Sequence, residues 1–463
     1  MSDLNNLRPS SFLYSHGPGS ILESRSGPTV VMDMRRLFEG IEGRPVVIGG
    51  QRRNLSITDF EIREPRLSGS LGGARLVALP SNSELGEPDD EPIYPTHGAF
   101  PRWSLCTNPD HQHLYLGWVR SNEYRRCWMC EKDARDTGVQ ALNSMRMAGA
   151  HALRFVSACP RGHLQDVDWV KLVHNGQDCP VGNTNSFKWY GGGGRISDIW
   201  IHCKKKCGAR ANLGRLYNDE HDCGGSHIHL GYNEDCPARA RMQQRGSAGL
   251  YLSQIESSLD ISALPETAMR ALDHPLIRDR IIILQEDGDW PDRDRLRRRV
   301  DNADAPQRLK NSLIDRIDDP TRWPKLREQI ETRVLGIRPP GQDDIKEEEF
   351  NALLESSING SPPPPIHEED GPESSLRIRL EDCYDVGFGN GTIRVVPIER
   401  LRVVSALRGF SREVASDGEP SALVESRFEF GEGREWHPAI ENFSEGVFLH
   451  FVESKEAIHL DRP

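Results

Sequence analysis

Nine of the ten cysteines fall between residues 106 and 236, interleaved with histidines at short spacings. Cysteine and histidine at such intervals are the donors of tetrahedral zinc, which takes four thiolate or imidazole ligands, commonly two from each of two tight knuckles. A first set is offered by Cys106, His111, Cys127 and Cys130, with Cys-x2-Cys at its second knuckle and His113 as a substitute for His111. Further on, Cys203-x3-Cys207 is followed by Gly208, a residue suited to a tight turn, and its partners would be Cys223 and Cys236. Cys159, His163, His174 and Cys179 then remain for a third set, and only Cys383, read as a small buried residue, is left over. Spacing does not fix connectivity, and Cys179 can stand in for Cys223 in the Cys203 set.

Four protein ligands close a zinc site, whereas a catalytic zinc keeps a position open for water. Neither His-Glu-x-x-His nor the His-x-Glu with Pro-Cys-x-x-Cys of zinc deaminases is present, which favours structural Zn2+, in up to three sites, over a catalytic ion. The chain also lacks Gly-x4-Gly-Lys-Ser/Thr and Gly-x-Ser-x-Gly, so neither a phosphate loop nor a nucleophile elbow is available. The alternative is a metal-dependent nuclease or another DNA-processing enzyme.

The net charge of −12 gives no global field for nucleic acid. Between Arg195 and Leu250 the balance reverses, to nine Lys/Arg against six Asp/Glu. Lys204, Lys205 and Lys206 at a knuckle tip, with Arg239, Arg241 and Arg245, form a candidate phosphate-binding surface. Trp189, Tyr190 and Tyr251 are interleaved for base stacking.

These ligands must be positioned by short elements. Apolar runs separated by Gly and Pro predict a β-rich segment over 1–100, and His16-Gly17-Pro18-Gly19-Ser20 reads as a tight turn. Residues 101–150 carry the first cluster and a helix at about 136–150. Residues 151–262 hold the double metal module, entered by a strand at 153–158. Residues 263–338 are helical and charged, with Met269, Leu272, Ile277, Ile281, Leu284, Leu313, Ile317, Leu326 and Ile330 facing inward. The arginine run from Arg293 to Arg299 reads there as a solvated face balanced by Asp292, Asp294 and Asp301. A Pro-rich, acidic linker spans 339–375, and 376–463 is β-rich. The fold class expected is α+β, built of several modules: β-rich zinc-ribbon-like segments, a charged helical middle and a C-terminal β-rich segment. No secretory leader or apolar run long enough to span a bilayer is present, so a cytoplasmic address is expected, where clustered cysteines bind metal rather than forming disulfides.

A set of motifs in fixed order resembles one family. They are Arg8-Pro9-Ser10 with Gly17-Pro18-Gly19-Ser20, and Phe100-Pro101-Arg102-Trp103 leading into Cys106. Next come Arg154-Phe155-Val156 before Ala158-Cys159-Pro160-Arg161-Gly162-His163-Leu164-Gln165-Asp166, and Ser197-Asp198-Ile199 before Cys203. Gln244-Arg245-Gly246-Ser247-Ala248, Leu401-Arg402-Val403-Val404, Gly409-Phe410-Ser411-Arg412 and Glu445-Gly446-Val447-Phe448-Leu449 complete it. Together they resemble the DrmB family, the helicase-associated component of the bacterial DISARM anti-phage system. The resemblance implies a partner, the DrmA-like helicase subunit that carries the ATPase chemistry, and engagement of DNA by the complex. It implies no catalytic residue in this chain. Two features depart from the family: His111 stands where it usually has a second cysteine, and its members continue past the point corresponding to Pro463. The resemblance thus implies a short homologue or a shortened reading frame.

Overall fold

A computed structural model describes residues 9–24, 27–48, 51–85, 96–106, 108, 110–116, 127–136, 150–191, 194–261, 264, 266–336, 345–359, 376–388, 391–414, 420–431 and 433–452. The fold is mixed α+β, with cysteine-rich β segments and a helical middle region. The chain forms two compact units. One takes residues 1–60, 79–255 and 407–438, the other 61–78, 256–406 and 439–463. Each is discontinuous, because distant strands complete a unit begun elsewhere in the sequence.

The first unit is built from small sheets. Its centre is a six-stranded sheet in the order Ala150–Ala152, Trp103–Cys106, His113–Leu116, Ser186–Tyr190, Trp200–Cys203 and Arg210–Asn212. Every neighbouring pair in it is antiparallel. Successive side chains of a strand point to opposite faces, so Phe187 and Trp189 lie in the core while Ser186, Lys188 and Tyr190 face outward. That core gathers Trp103, Leu114, Phe155, Trp169, Ile201 and Leu213. A second six-stranded sheet runs His221–Asp222, Arg239–Gln244, Phe155–Ala158, Leu164–Gln165, Ser226–His227 and Tyr232–Asn233. Several of its strands are two residues long, too short to stand without other restraints. In the N-terminal part, strands at Ile21–Ser24, Gly27–Val31 and Thr96–Ala99 share a sheet beside the helix Met34–Ile41. Asp33 caps that helix, its carboxylate accepting from the Arg35 amide. Met34, Leu37, Phe38 and Ile41 form its buried stripe, and Phe38 stacks on Phe428. The glycine turn at 17–19 is a packed corner: Gly19, at φ 91°, leaves no room for a Cβ against Phe410, nor Gly17 against Tyr251.

The second unit has a helical half. Helices Glu266–Asp273, Pro275–Glu286, Arg293–Asp301, Gln307–Asp318 and Trp323–Gln329 enclose one aliphatic core. All nine inward positions read from periodicity, Met269 to Ile330, belong to it. The arginine run is paired as expected of a solvated face, although with other carboxylates: Arg297 with Asp318, Arg299 with Asp287, and Arg295 with Asp289 as well as Asp292. The sheet half is dominated by the antiparallel pairing of residues 392–406 with residues 439–452. Residues 345–359, inside the segment whose composition reads as linker, form a helix. Its Glu349 is buried and accepts from the Leu259 amide and the Lys346 ammonium, while Glu347 of the same run is exposed. The helix expected at 136–150 lies almost entirely outside the described residues.

Candidate metal centres

The twelve Cys and His residues singled out as metal ligands converge into three groups of four. Within each, the donor atoms lie within 4.8 Å of one another. All ten cysteines are free thiols. The grouping corrects two of the three sets expected from spacing. Cys106, His111, Cys127 and Cys130 stand together as read. The other eight are exchanged: Cys159 and His163 join Cys223 and Cys236, and His174 and Cys179 join Cys203 and Cys207. Sheet pairing is the reason. Cys159 follows the strand Phe155–Ala158, which pairs with Arg239–Gln244 just beyond Cys236, and His221–Asp222 runs along the same strand into Cys223. Cys203 ends a strand paired with Ser186–Tyr190, placing its hairpin beside His174 and Cys179.

In the first cluster Cys106 ends a sheet strand, His111 sits on the turn that follows, and Cys127 and Cys130 bracket the start of the helix Trp128–Asp136. Cys106 Sγ lies 3.5 Å from Cys130 Sγ and 3.8 Å from His111 Nδ1, and His111 Nδ1 lies 4.0 Å from Cys127 Sγ. A tetrahedron with zinc–sulfur bonds of about 2.3 Å has edges of roughly 3.7 Å, so the separations suit one central ion. His113 stands beside the group, its Nδ1 3.9 Å from Cys127 Sγ, and burial pushes its pKa down to about 4. In the second cluster the Cys159–His163 turn is closed by Gly162 at φ 86°, and His163 Nδ1 lies 3.3 Å from Cys159 Sγ and 3.6 Å from Cys223 Sγ. In the third, Cys179 and Cys203 are 3.9 Å apart and His174 Nε2 is 3.5 Å from Cys207 Sγ.

Each histidine is oriented by what holds its other nitrogen. His111 Nε2 meets Asp133 at 2.7 Å and His163 Nε2 meets Glu234 at 2.9 Å, leaving Nδ1 toward the thiols. His174 is reversed: Nδ1–H donates to the Val170 carbonyl at 2.6 Å, and Nε2 faces Cys207. Such outer partners fix tautomer and ring direction for metal binding. Glu234 also accepts from His227 at 3.3 Å. The grouping of His163, His227 and Glu234 is therefore an outer shell of the second cluster.

The backbone is arranged for thiolates as well. Six cysteines receive an amide N–H from two residues on: Cys106 from Asn108, Cys159 from Arg161, Cys203 from Lys205, Cys207 from Ala209, Cys223 from Gly225 and Cys236 from Ala238. Hydrogen bonds to the charged form favour it. Without a cation, each set divides its protons unevenly. The Cys223 thiol, hydrogen-bonded to Cys159, holds Cys159 down at about 4, while Cys223 itself is pushed up. Burial raises Cys106 and Cys130. The Ala209 amide brings Cys207 to about 7, while burial moves Cys203 up to about 11.

Three thiolates around a divalent ion leave a net charge of −1, and each of the first two clusters has a cation near it. Arg412 is fully buried and, among the described residues, has no carboxylate partner. It donates to the carbonyls of Gly162 at 2.8 Å, Gly19 at 2.9 Å and Leu250. Burial pulls its pKa to about 10, against the opposing attraction of Tyr251 and Cys159. Lys204 donates to Met129 Sδ at 3.4 Å; burial lowers its pKa, against the opposing attraction of Cys127 and Cys106.

The residues of the expected phosphate-binding surface divide into ion-paired arginines and exposed lysines. Arg239 is paired with Asp222 and the Glu220 carbonyl, Arg241 with Glu220 at 3.1 Å, and Arg245 with Glu23 at 2.5 Å and the carbonyls of Ala152 and Leu153. Arg241 and Arg245 are half-buried in these contacts, while the Arg239–Asp222 pair is on the surface. Trp189 and Tyr251 are inside. All three lysines of the triplet, Lys204, Lys205 and Lys206, are exposed, and Tyr190 faces outward. Cys383 stands outside all three groups, half-buried, its thiol donating to the Arg379 carbonyl.

A model of a family described as a domain of unknown function, DUF8724, matches residues 8–252, a span that contains all twelve ligands. Among curated relatives, a DISARM protein DrmB of Bacillus paralicheniformis is 22% identical over 362 residues, 76% of this chain. The match covers 58% of that relative's length. Among the described residues no helix is long and apolar enough to cross a membrane. By the extent of the family match, the chain belongs to the DUF8724 family.

Proposed function

We propose that this member of the DUF8724 family is a DrmB-type, non-catalytic subunit of a DISARM-type anti-phage defence complex. In this reading it acts in the cytoplasm, binds a DrmA-like helicase partner that supplies ATP hydrolysis, and assists the complex in engaging DNA. Three structural Zn2+ ions hold its β-rich half together. The observation that carries the reading is the closure of each cluster: four sulfur and nitrogen donors converge at tetrahedral spacing, with outer partners fixing every histidine. Such sites bind and cross-link the chain and leave no position for substrate. When bound, the ion supplies only that cross-link and the electrostatic field holding the thiolates ionised. The similarity to the DISARM protein DrmB and the motif order support the system to which the subunit is assigned. A metal-dependent nuclease would require an open coordination position, which four protein ligands do not provide.

Purified alone, the chain is expected to turn over no ATP and to cut no DNA across a titration of divalent metals. Mixed with the helicase-like subunit of its own operon, it should co-elute as a complex and raise that partner's DNA-stimulated ATPase rate. ATP turnover by the chain itself, or no complex with that subunit, would sink the reading.

A further inference from the structure

The six-stranded sheet has an outer face that the first metal cluster covers only in part. Over the strands Trp103–Cys106 and His113–Leu116 that face carries Cys106 and Tyr115, which pack with Cys127 and Cys130. Over the next three strands it is open. Register places Lys188 opposite His202 and His202 opposite Arg210. One row on, Tyr190 lies opposite Trp200, and Trp200 opposite Asn212. Alternation sends Phe187, Trp189 and Ile201 into the core and leaves these six side chains on the other side.

Among the described residues these six positions are cations, aromatic rings and one amide, with no carboxylate. Lys188 Nζ sits 4.9 Å above the Tyr190 ring and the Arg210 guanidinium 5.7 Å from the Trp200 ring. Tyr190 and His202 rings are 4.6 Å apart. Among the described residues neither Lys188 nor Arg210 has an ion-pair partner, whereas Arg239, Arg241 and Arg245 all do. Trp200 is 42% exposed, high for a tryptophan on a sheet. In a chain of net charge −12, a row of basic groups with aromatics beside it and no compensating acid is complementary to a polyanion that also presents flat rings.

The metal clusters frame this face. Beyond its edge at Lys188 comes His113, which pairs with Lys188 in register and meets the exposed Trp128 edge-on at 5.4 Å. Cys203 and Cys207 fix the hairpin that carries exposed Lys205 and Lys206, and its Lys204 reaches Met129 of the first cluster. The flat surface is about 10 Å wide across three strands, with the Trp200 ring exposed on it and the Tyr190 ring half-buried beneath Lys188. It therefore suits unpaired bases, since a duplex offers its rings only at its ends.

Resting on the reading of the chain as a DNA-engaging subunit, we propose that this face binds single-stranded DNA. Tyr190 and Trp200 stack on bases, and Lys188, Arg210, Lys205 and Lys206 meet phosphates. Lys204, leaning on the first metal cluster, and the three arginines of the second sheet do not take part.

The test is fluorescence anisotropy of a labelled oligothymidylate, and of a labelled duplex, with the full metal-loaded chain. Trp200→Ala and Tyr190→Ala should each weaken single-strand binding by roughly ten-fold or more, the size of one lost base stack. Trp200→Phe should retain most of it. Lys188→Gln with Arg210→Gln should lower the slope of log affinity against log salt by about 1.4 for single strands. Arg239→Gln should leave affinity and slope unchanged. Metal content and melting temperature, measured on each variant, separate a lost contact from a lost fold. If the wild-type chain binds but intact Trp200 and Tyr190 variants bind equally well, the face is not the interface, and the broader reading stands. If a duplex binds as tightly as the single strand, the stacking assignment is overturned. If the wild-type chain binds neither, the DNA-engaging reading falls with it.

Discussion

Residues 106–236 and residues 264–335 are stabilised by different means. The helical stretch buries one continuous aliphatic cluster, from Leu264 through Ile281 and Leu296 to Ile330, and contains no cysteine. Each buried Leu or Ile in it contributes on the order of 1.5–3 kcal/mol. The cysteine-rich stretch divides its apolar residues among several groups, the smallest being Cys159, Ala238 and Ala240 with Cys223 and Cys236 around them. Strands of two residues cannot bury enough surface to offset the cost of ordering the chain. Twelve clustered side chains that could hold metal stand where a larger core would otherwise be required.

If this contrast is correct, removing metal should act on one region and spare the other. With a strong chelator at neutral pH, amides across 106–236 are expected to lose hydrogen-exchange protection, while those of 266–330 keep theirs. This is the largest effect, since a structural zinc contributes about 10 kcal/mol or more to a small metal module. Equal loss in both stretches would break the comparison.

Arg412 sharpens it within the metal-bearing unit. Its guanidinium ties the Cys159–His163 turn to Gly19 and Leu250. Replacing it with methionine leaves three buried carbonyls without a donor and a cluster without its nearest cation. A destabilisation of about 3–5 kcal/mol is expected in chemical denaturation. In the helical stretch, Ile281→Ala should cost about 2–4 kcal/mol through the cavity it leaves, with no change in bound metal. Metal loss from that variant would show that the two regions are not held independently. A smaller effect is expected for Asp133→Asn: the first cluster should bind its ion roughly 10–100-fold more weakly in a competition titration, with the other clusters unaffected.

How much of this was legible in the sequence follows from the same contrast. The helical core was readable residue by residue, because a period of 3.6 marks an inward face without reference to any other element. The identity of all twelve clustered residues was readable from type and spacing. Their pairing was not, because it depends on which strands lie side by side, as when Phe155–Ala158 joins Arg239–Gln244 and carries Cys159 to Cys236. The same limit hid the ion pairing of the basic residues. Arg239 and Arg245 look free in a list of charges and are bound to Asp222 and Glu23 in space, while Lys188, Trp200 and Arg210 come together only through strand register. The one signal available was the outward half of the alternation in Ser186–Tyr190.

The central claim, three closed four-ligand sites in the pairing the sheets impose, is tested most directly by metal stoichiometry in double variants. Wild-type protein should carry three equivalents. Cys203→Ser with Cys223→Ser should leave one, because these residues serve different clusters, and Cys159→Ser with Cys223→Ser should leave two, because they share one. Two equivalents in the first variant and one in the second, the pattern of the spacing-based sets, would contradict the structure.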